Sequence, residues 1–255
     1  MAFQSFFSGK LKHYNKKDRG IVTAKESANP TRVIKRDISM EEHDSVFEDC
    51  ENDETTALKA MADAFEDLSG LIKENGPHLD LTLKPFCHAC SFVSVLFGFL
   101  GFAFKFAEME YTSKVRNLEG ASETYGTLNN ILDFDVRNDS VKIQGSLSRN
   151  LRRVRQGLDL MRVLFQNFLS ADDYSLRDAA TSAYQNVCAP YHTWAIRTAA
   201  FAGMCTLPSK EQLVLNLNET YESTEKHMRR YIDASLPVIE YIDNLYIARE
   251  ISLDW

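Results

Sequence analysis

From Thr55 onward, apolar residues return at steps of three and four. Leu58, Met61, Phe65, Leu68 and Ile72 make one helical stripe. Gly76 and Pro77 close that helix, since Gly accepts a left-handed C-terminal conformation and Pro cannot continue it. Pro85 suits a first turn, where its missing N–H is harmless, and one central helix is expected over residues 85–120. Its middle, 92–107, is the most apolar run in the chain, with six Phe and one charge, Lys105. A segment apolar on every side reads as a buried central helix. It falls short of the roughly 20 residues of a bilayer span. Gly98 and Gly101 also interrupt it, and Glu108 and Glu110 follow directly. No transmembrane helix is predicted.

Further on, a short helix is expected over 124–133. A longer one over 146–170 carries Leu147, Leu151, Val154, Leu158, Met161, Phe165 and Phe168 in regular 4-3 steps. Ser175 with Asp178, and Ser209 with Gln212, have capping-box spacing and open two more helices. Ala189-Pro190 interrupts the first of these beyond Cys188. Helical pattern resumes near Trp194 and pauses at Leu207-Pro208. Pro237 is expected to divide the last long helix from a short terminal one, because Pro lacks the donor that a helix interior needs. Sustained strand alternation is missing. The pattern predicts an all-α domain of about eight helices over 55–255.

Charge separates that domain from what precedes it. Residues 1–36 carry nine Lys/Arg against Asp18 and Glu26, and 37–54 carry nine acids with no Lys or Arg. Low hydrophobicity and segregated charge make 1–54 a disordered N-terminal arm. That arm is available to anionic lipid or a protein partner. With the whole chain at −7, the helical part is acidic and does not read as a nucleic-acid binder. Five scattered cysteines and the lack of an apolar leader at the N-terminus indicate a reduced, cytosolic protein. Cys87 and Cys90 have CxxC spacing without a second pair, so they read as small core residues and no metal is predicted. Motifs for phosphate loops, esterases and zinc proteases are missing too. His13, His43, His78 and His227 sit among polar residues without obvious partners.

Three elements carry candidate chemistry. Glu110 and Lys114 stand at i and i+4, the spacing of an ordinary surface pair or of a polar site at the mouth of an apolar cavity. Arg149 and Arg153 share a helical face beside the Leu151 stripe; such a pair is either a solvated basic face or a phosphate site, since guanidinium forks donate two parallel bonds. His192 and Trp194 follow the Ala189-Pro190 break.

Taken in order, KFAEMEYTSKV, RNLRRVRQGLDL and APYHTWAIR resemble the glycolipid transfer protein superfamily, most of all its plant accelerated-cell-death branch, which transfers ceramide-1-phosphate. The resemblance implies a two-layer α-helical sandwich around a pocket for lipid chains, acting as a non-enzymatic carrier without cofactor. It also implies roles. Glu110 stands where a family acid accepts the sphingosine amide N–H, and Lys114 where phosphate binders carry Lys and sugar binders Asn. Arg149 and Arg153 match two phosphate-binding arginines, the second replaced in sugar binders by a stacking Trp. His192 matches the donor to the acyl carbonyl, and Trp194 the Trp at the membrane contact surface. The partners so implied are one sphingolipid and, transiently, a membrane, met by a monomer. One departure stands out: the family acid is normally Asp, and Glu110 is one methylene longer.

Overall fold

Ser175 and Ser209 each cap a helix where the sequence signals one. The computed structural model describes residues 55–76, 79–101, 104–170 and 175–255; the arm expected at 1–54, with His13, His43 and His78, lies outside them. Thr56 accepts from the Lys59 amide and opens α1, Ala57–Asn75, and Gly76 at φ +55° ends it. α2 is Leu83–Phe99 and α3 is Lys105–Gly120. The one-turn α4, Ser122–Tyr125, precedes α5, Leu128–Arg137, which Thr127 caps. α6 is Leu147–Ser170. Ser175 caps α7, Leu176–Val187, and a 3-10 turn, Ala189–Tyr191, leads to α8, Trp194–Met204. Ser209 caps α9, Lys210–Asn216, and a capping box of Thr220 and Ser223 opens α10, Tyr221–Ile247. Strand structure among the described residues amounts to one isolated bridge, Thr82 with Thr127.

Three expectations need correction. The single central helix over 85–120 is two helices, α2 and α3, broken between Leu100 and Phe104. Gly101 there takes φ +98°, a left-handed value that Gly adopts without a Cβ clash. The helix at 124–133 is likewise two, α4 and α5, with Gly126 at φ +71° between them. Conversely, Pro237 does not end the last helix. α10 runs through it, and Ala234, Val238, Ile239 and Ile242 around it are all buried. Packing on both neighbours outweighs one missing backbone bond.

α2, α1 and α10 lie side by side as one layer, and α3, α6 and α7 as the other; α2 meets α3 and α10 meets α6 across the interface. The core fills the space between, with Phe65, Phe86, Leu118, Leu158, Tyr231 and Tyr246 essentially sealed from solvent. Phe65 and Phe165 both meet the ring of Tyr231 edge-on, a favoured arrangement of aromatic quadrupoles. Tyr231 and Tyr246 are buried with their hydroxyls donating to the Leu158 and Ser148 carbonyls of α6, which ties α10 to that helix.

Candidate functional site

α6 brings most of the polar chemistry, and its register decides where each side chain goes. Its N-terminus is seated on Asp135, whose Oδ2 accepts from the Ser148 amide at 2.8 Å. Asp135 is buried, so a carboxylate meets the positive end of the helix. Leu151, Val154 and Leu158 then point into the core, while Arg149, Arg153, Gln156 and Leu160 follow at helical spacing along another face. Arg149 Nη1 donates to the Lys142 carbonyl at 2.8 Å, and Arg153 Nη1 to Gln156 Oε1 at 2.6 Å. Both arginines are half-buried. Burial, and then the charges of Arg149 and Arg152, bring the Arg153 pKa below its ordinary value. A guanidinium crowded in this way is poorly satisfied, and an anion beside it would relieve it.

The other arginines of this stretch point elsewhere. Arg152 is only 3% exposed; it donates to Asp243 Oδ1 at 3.1 Å and to the Leu253 carbonyl at 2.5 Å. Arg155 grips the same carboxylate with two nitrogens, Nε at 2.9 Å and Nη2 at 2.5 Å. This pair holds α6 to α10 and the C-terminus.

His192 stands at the end of the 3-10 turn, its Nδ1 2.9 Å from the Tyr184 hydroxyl. Burial, then the charge of Arg153, lowers the His192 pKa, so the ring is neutral at pH 7. Burial pushes the Tyr184 phenol up to about 12, so it keeps its proton. A phenol donating to Nδ1 leaves the imidazole N–H on Nε2, free to meet a carbonyl. Tyr184 also lines a narrow apolar cleft with Phe97, Leu100, Phe104, Leu160 and Leu164, a cavity of about 30 Å³. That is room for about one water, so lipid chains enter only if these helices separate. A wider hollow of about 320 Å³, between α6 and α10 near Gln166 and Arg229, contains none of the residues named from the sequence.

On α3, Lys114 Nζ donates to Glu110 Oε2 at 2.9 Å. Among the described residues no hydrogen bond joins this pair to Arg149 or Arg153. The two groups are related through the packing of α3 on α6, where Tyr111 meets Gly157. Trp194 begins α8 with three-quarters of its surface exposed, and Phe106 and Met109 on α3 are more than half exposed. Arg153 thus feels the charge of Arg149 and in turn acts on His192, while Glu110 and Lys114 form a second, more exposed pair.

One of the sequence readings changes. His227 is buried on α10 with Arg230 Nη1 3.1 Å from its Nδ1, so it has a partner after all. Cys87 and Cys90 lie in the core, where burial pushes the Cys87 thiol up to about 12 and Cys90 up as well; no group of three metal-capable side chains occurs among the described residues. Sequence reasoning did not name Gln156 or Tyr184. Gln156 was within reach, being three residues from Arg153 on the same face. Tyr184 was not, since a helix break separates it from His192.

Residues 81–219 match the family described as "Glycolipid transfer protein (GLTP)". Over 223 residues the chain is 60% identical to the ACD11 homolog protein of Arabidopsis thaliana, covering 84% of this chain and 97% of that protein. Accelerated cell death 11 of the same plant is 43% identical over 199 residues, 78% of this chain and 96% of that protein. A crystal structure of a variant of Arabidopsis ACD11, complexed with C12 ceramide-1-phosphate, superimposes with a TM-score of 0.76 at 42% identity. It covers 78% of this chain and 98% of that one.

Proposed function

The chain belongs to the glycolipid transfer protein family, and from that premise we propose that it carries ceramide-1-phosphate between membranes. The protein is a lipid carrier, not an enzyme. It takes up one lipid, shields both chains between its helical layers and gives the lipid up unaltered. In this reading Lys114, Arg149 and Arg153 hold the phosphate, Glu110 the amide N–H and His192 the acyl carbonyl. Trp194 touches the membrane. The carrier domain spans 55–255, residues 1–54 are an appendage to it, and the cytosolic face of membranes is where it works.

The observation that carries the proposal is the half-buried Arg153, crowded by Arg149 and Arg152 and near enough to His192 for its charge to lower the imidazole pKa. Magnitudes show why the head group decides. About 30 methylenes at roughly 0.8 kcal/mol each give over 20 kcal/mol of burial. That term offsets the loss of the bilayer and is indifferent to head groups. Charge-assisted bonds at about 1.5–3 kcal/mol each are not indifferent. A neutral sugar would leave the cations poorly paired and is rejected for that reason. Transfer between vesicles tests this: ceramide-1-phosphate should move much faster than galactosylceramide, and Arg153→Ala should remove about 2–4 kcal/mol of that preference. Equal rates for the two lipids in the unmodified protein would overturn the proposal.

A further inference from the structure

Gln156 lies where a lipid would pass from its head group to its chains. On α6 it follows Arg153 by three residues, a rise of about 4.5 Å, and precedes the cleft-lining Leu160 by four, about 6 Å. Only 5% of its surface is exposed. Its Oε1 accepts from Arg153 Nη1 at 2.6 Å. Arginine offers donors and no acceptor, so the oxygen end of the amide must face it and the NH₂ end must point away. That NH₂ end, Nε2, has no hydrogen-bond partner among the described residues. A buried donor left unpaired destabilises a fold, and an apolar side chain of similar size would not. Holding Arg153 accounts for the oxygen end of the amide, and nothing in the fold accounts for the NH₂ end.

We propose that Gln156 is a ligand-binding residue whose Nε2 donates to the 3-hydroxyl oxygen of the sphingoid base, while its Oε1 steadies Arg153. The assignment rests on the ceramide-1-phosphate reading. In that reading the phosphate, the amide N–H and the acyl carbonyl each have a partner, and the hydroxyl has none. Nε2 is an unpaired buried donor on the very face of α6 that leads from the arginines to the cleft. A lipid with phosphate and two chains but no hydroxyl at that carbon would leave Nε2 unpaired and would be selected against.

Full-length protein and Gln156→Met are compared in vesicle transfer of ceramide-1-phosphate and its 3-deoxy analogue. The unmodified protein should favour ceramide-1-phosphate about tenfold, the scale of one buried hydrogen bond. In Gln156→Met, ceramide-1-phosphate should slow by about tenfold or more, and the 3-deoxy lipid by no more than about threefold through the loosened Arg153. The thermal midpoint should hold or rise, since an unpaired buried donor is gone. Equal slowing of both lipids, with or without a lower midpoint, overturns the assignment, because Gln156 would then act only through Arg153 or the fold. The unmodified protein decides independently of any variant. Equal transfer of both lipids sinks the hydroxyl contact alone, whereas transfer of neither sinks the ceramide-1-phosphate reading beneath it.

Discussion

Tyr111 rests on the bare Cα of Gly157 so closely that a Cβ built there would stand 2.3 Å from Cε2 and 2.5 Å from Cδ2 of the ring. Tyr111 is the neighbour of Glu110, and Gly157 stands one turn past Arg153. The spacing of α3 and α6, and with it the distance from the acid to the arginines, depends on that missing methyl. A helix-interior glycine ordinarily weakens a helix by about 0.5–1 kcal/mol relative to Ala. Here close packing is the reason to keep it.

Gly157→Ala should therefore destabilise the protein by about 1–2 kcal/mol, an overpacking cost partly offset by better helix propensity. Transfer of ceramide-1-phosphate should fall with it as α3 is pushed away. Gly70 in α1 is the internal control: a Cβ there meets nothing within 4 Å, and Gly70→Ala should stabilise by about 0.5–1 kcal/mol. Denaturant titration of the two variants reads both signs. Equal shifts in the two would remove the packing argument.

Glu110 is engaged by Lys114 at 2.9 Å and is more than half exposed. Its extra methylene lengthens its reach by about 1.5 Å, and the neighbouring ammonium competes for its oxygens. Glu110→Asp should shorten that reach, weaken the pull of Lys114 and raise sphingolipid transfer about threefold, with a narrower lipid range. Glu110→Ala should slow sphingolipids about tenfold, the scale of one hydrogen bond to a charge, and glycerolipids much less, because they lack the amide. If both lipid classes respond alike, Glu110 does not bind the amide.

For Trp194 the expectation concerns the membrane. The residue is 75% exposed at the start of α8, where an indole favours a membrane interface. Trp194→Ala should slow vesicle transfer several-fold, leave the thermal midpoint within about 1 °C of the unmodified protein, since surface changes move stability little, and leave binding of a short-chain, water-dispersed lipid intact. A fall in short-chain binding would make Trp194 part of the pocket instead.

Stability should decline on acidification. The His192 pKa is lowered in the folded state by burial and Arg153, and that of His227 chiefly by burial. The unfolded chain takes up protons first, around the ordinary imidazole value of about 6.5. Stability these histidines leave intact above that pH is lost as pH falls through it, until the folded rings also titrate. Melting curves between pH 7.5 and 5 should show the decline, and His192→Gln should make it shallower. An unchanged slope would mean that His192 is not held neutral by its surroundings.

The helices were legible because a helix interacts with itself at short range. The 4-3 stripe of α6, the serine caps of α7 and α9, and the shared face of Arg149 and Arg153 all follow from a period of about 3.6 residues. The order of three polar elements on an all-helical chain was enough to reach the family. Even Gln156 lay on a face that the sequence predicts, though nothing in the sequence reveals its unpaired nitrogen.

Tertiary structure decided what local rules leave open. Pro237 signals a break, yet α10 continues because its burial against neighbouring helices outweighs one lost hydrogen bond. The apolar run over 92–107 signals one helix, yet Gly101 turns it and brings Leu100 and Phe104 to the cleft. Neighbouring arginines look alike in sequence, but Arg152 is drawn into an ion pair with Asp243 while Arg153 faces Gln156. Tyr184 reaches His192 across a helix break, and Tyr111 meets Gly157 from another helix. A helical period determines which direction a side chain points; which group waits there is set by how the layers pack.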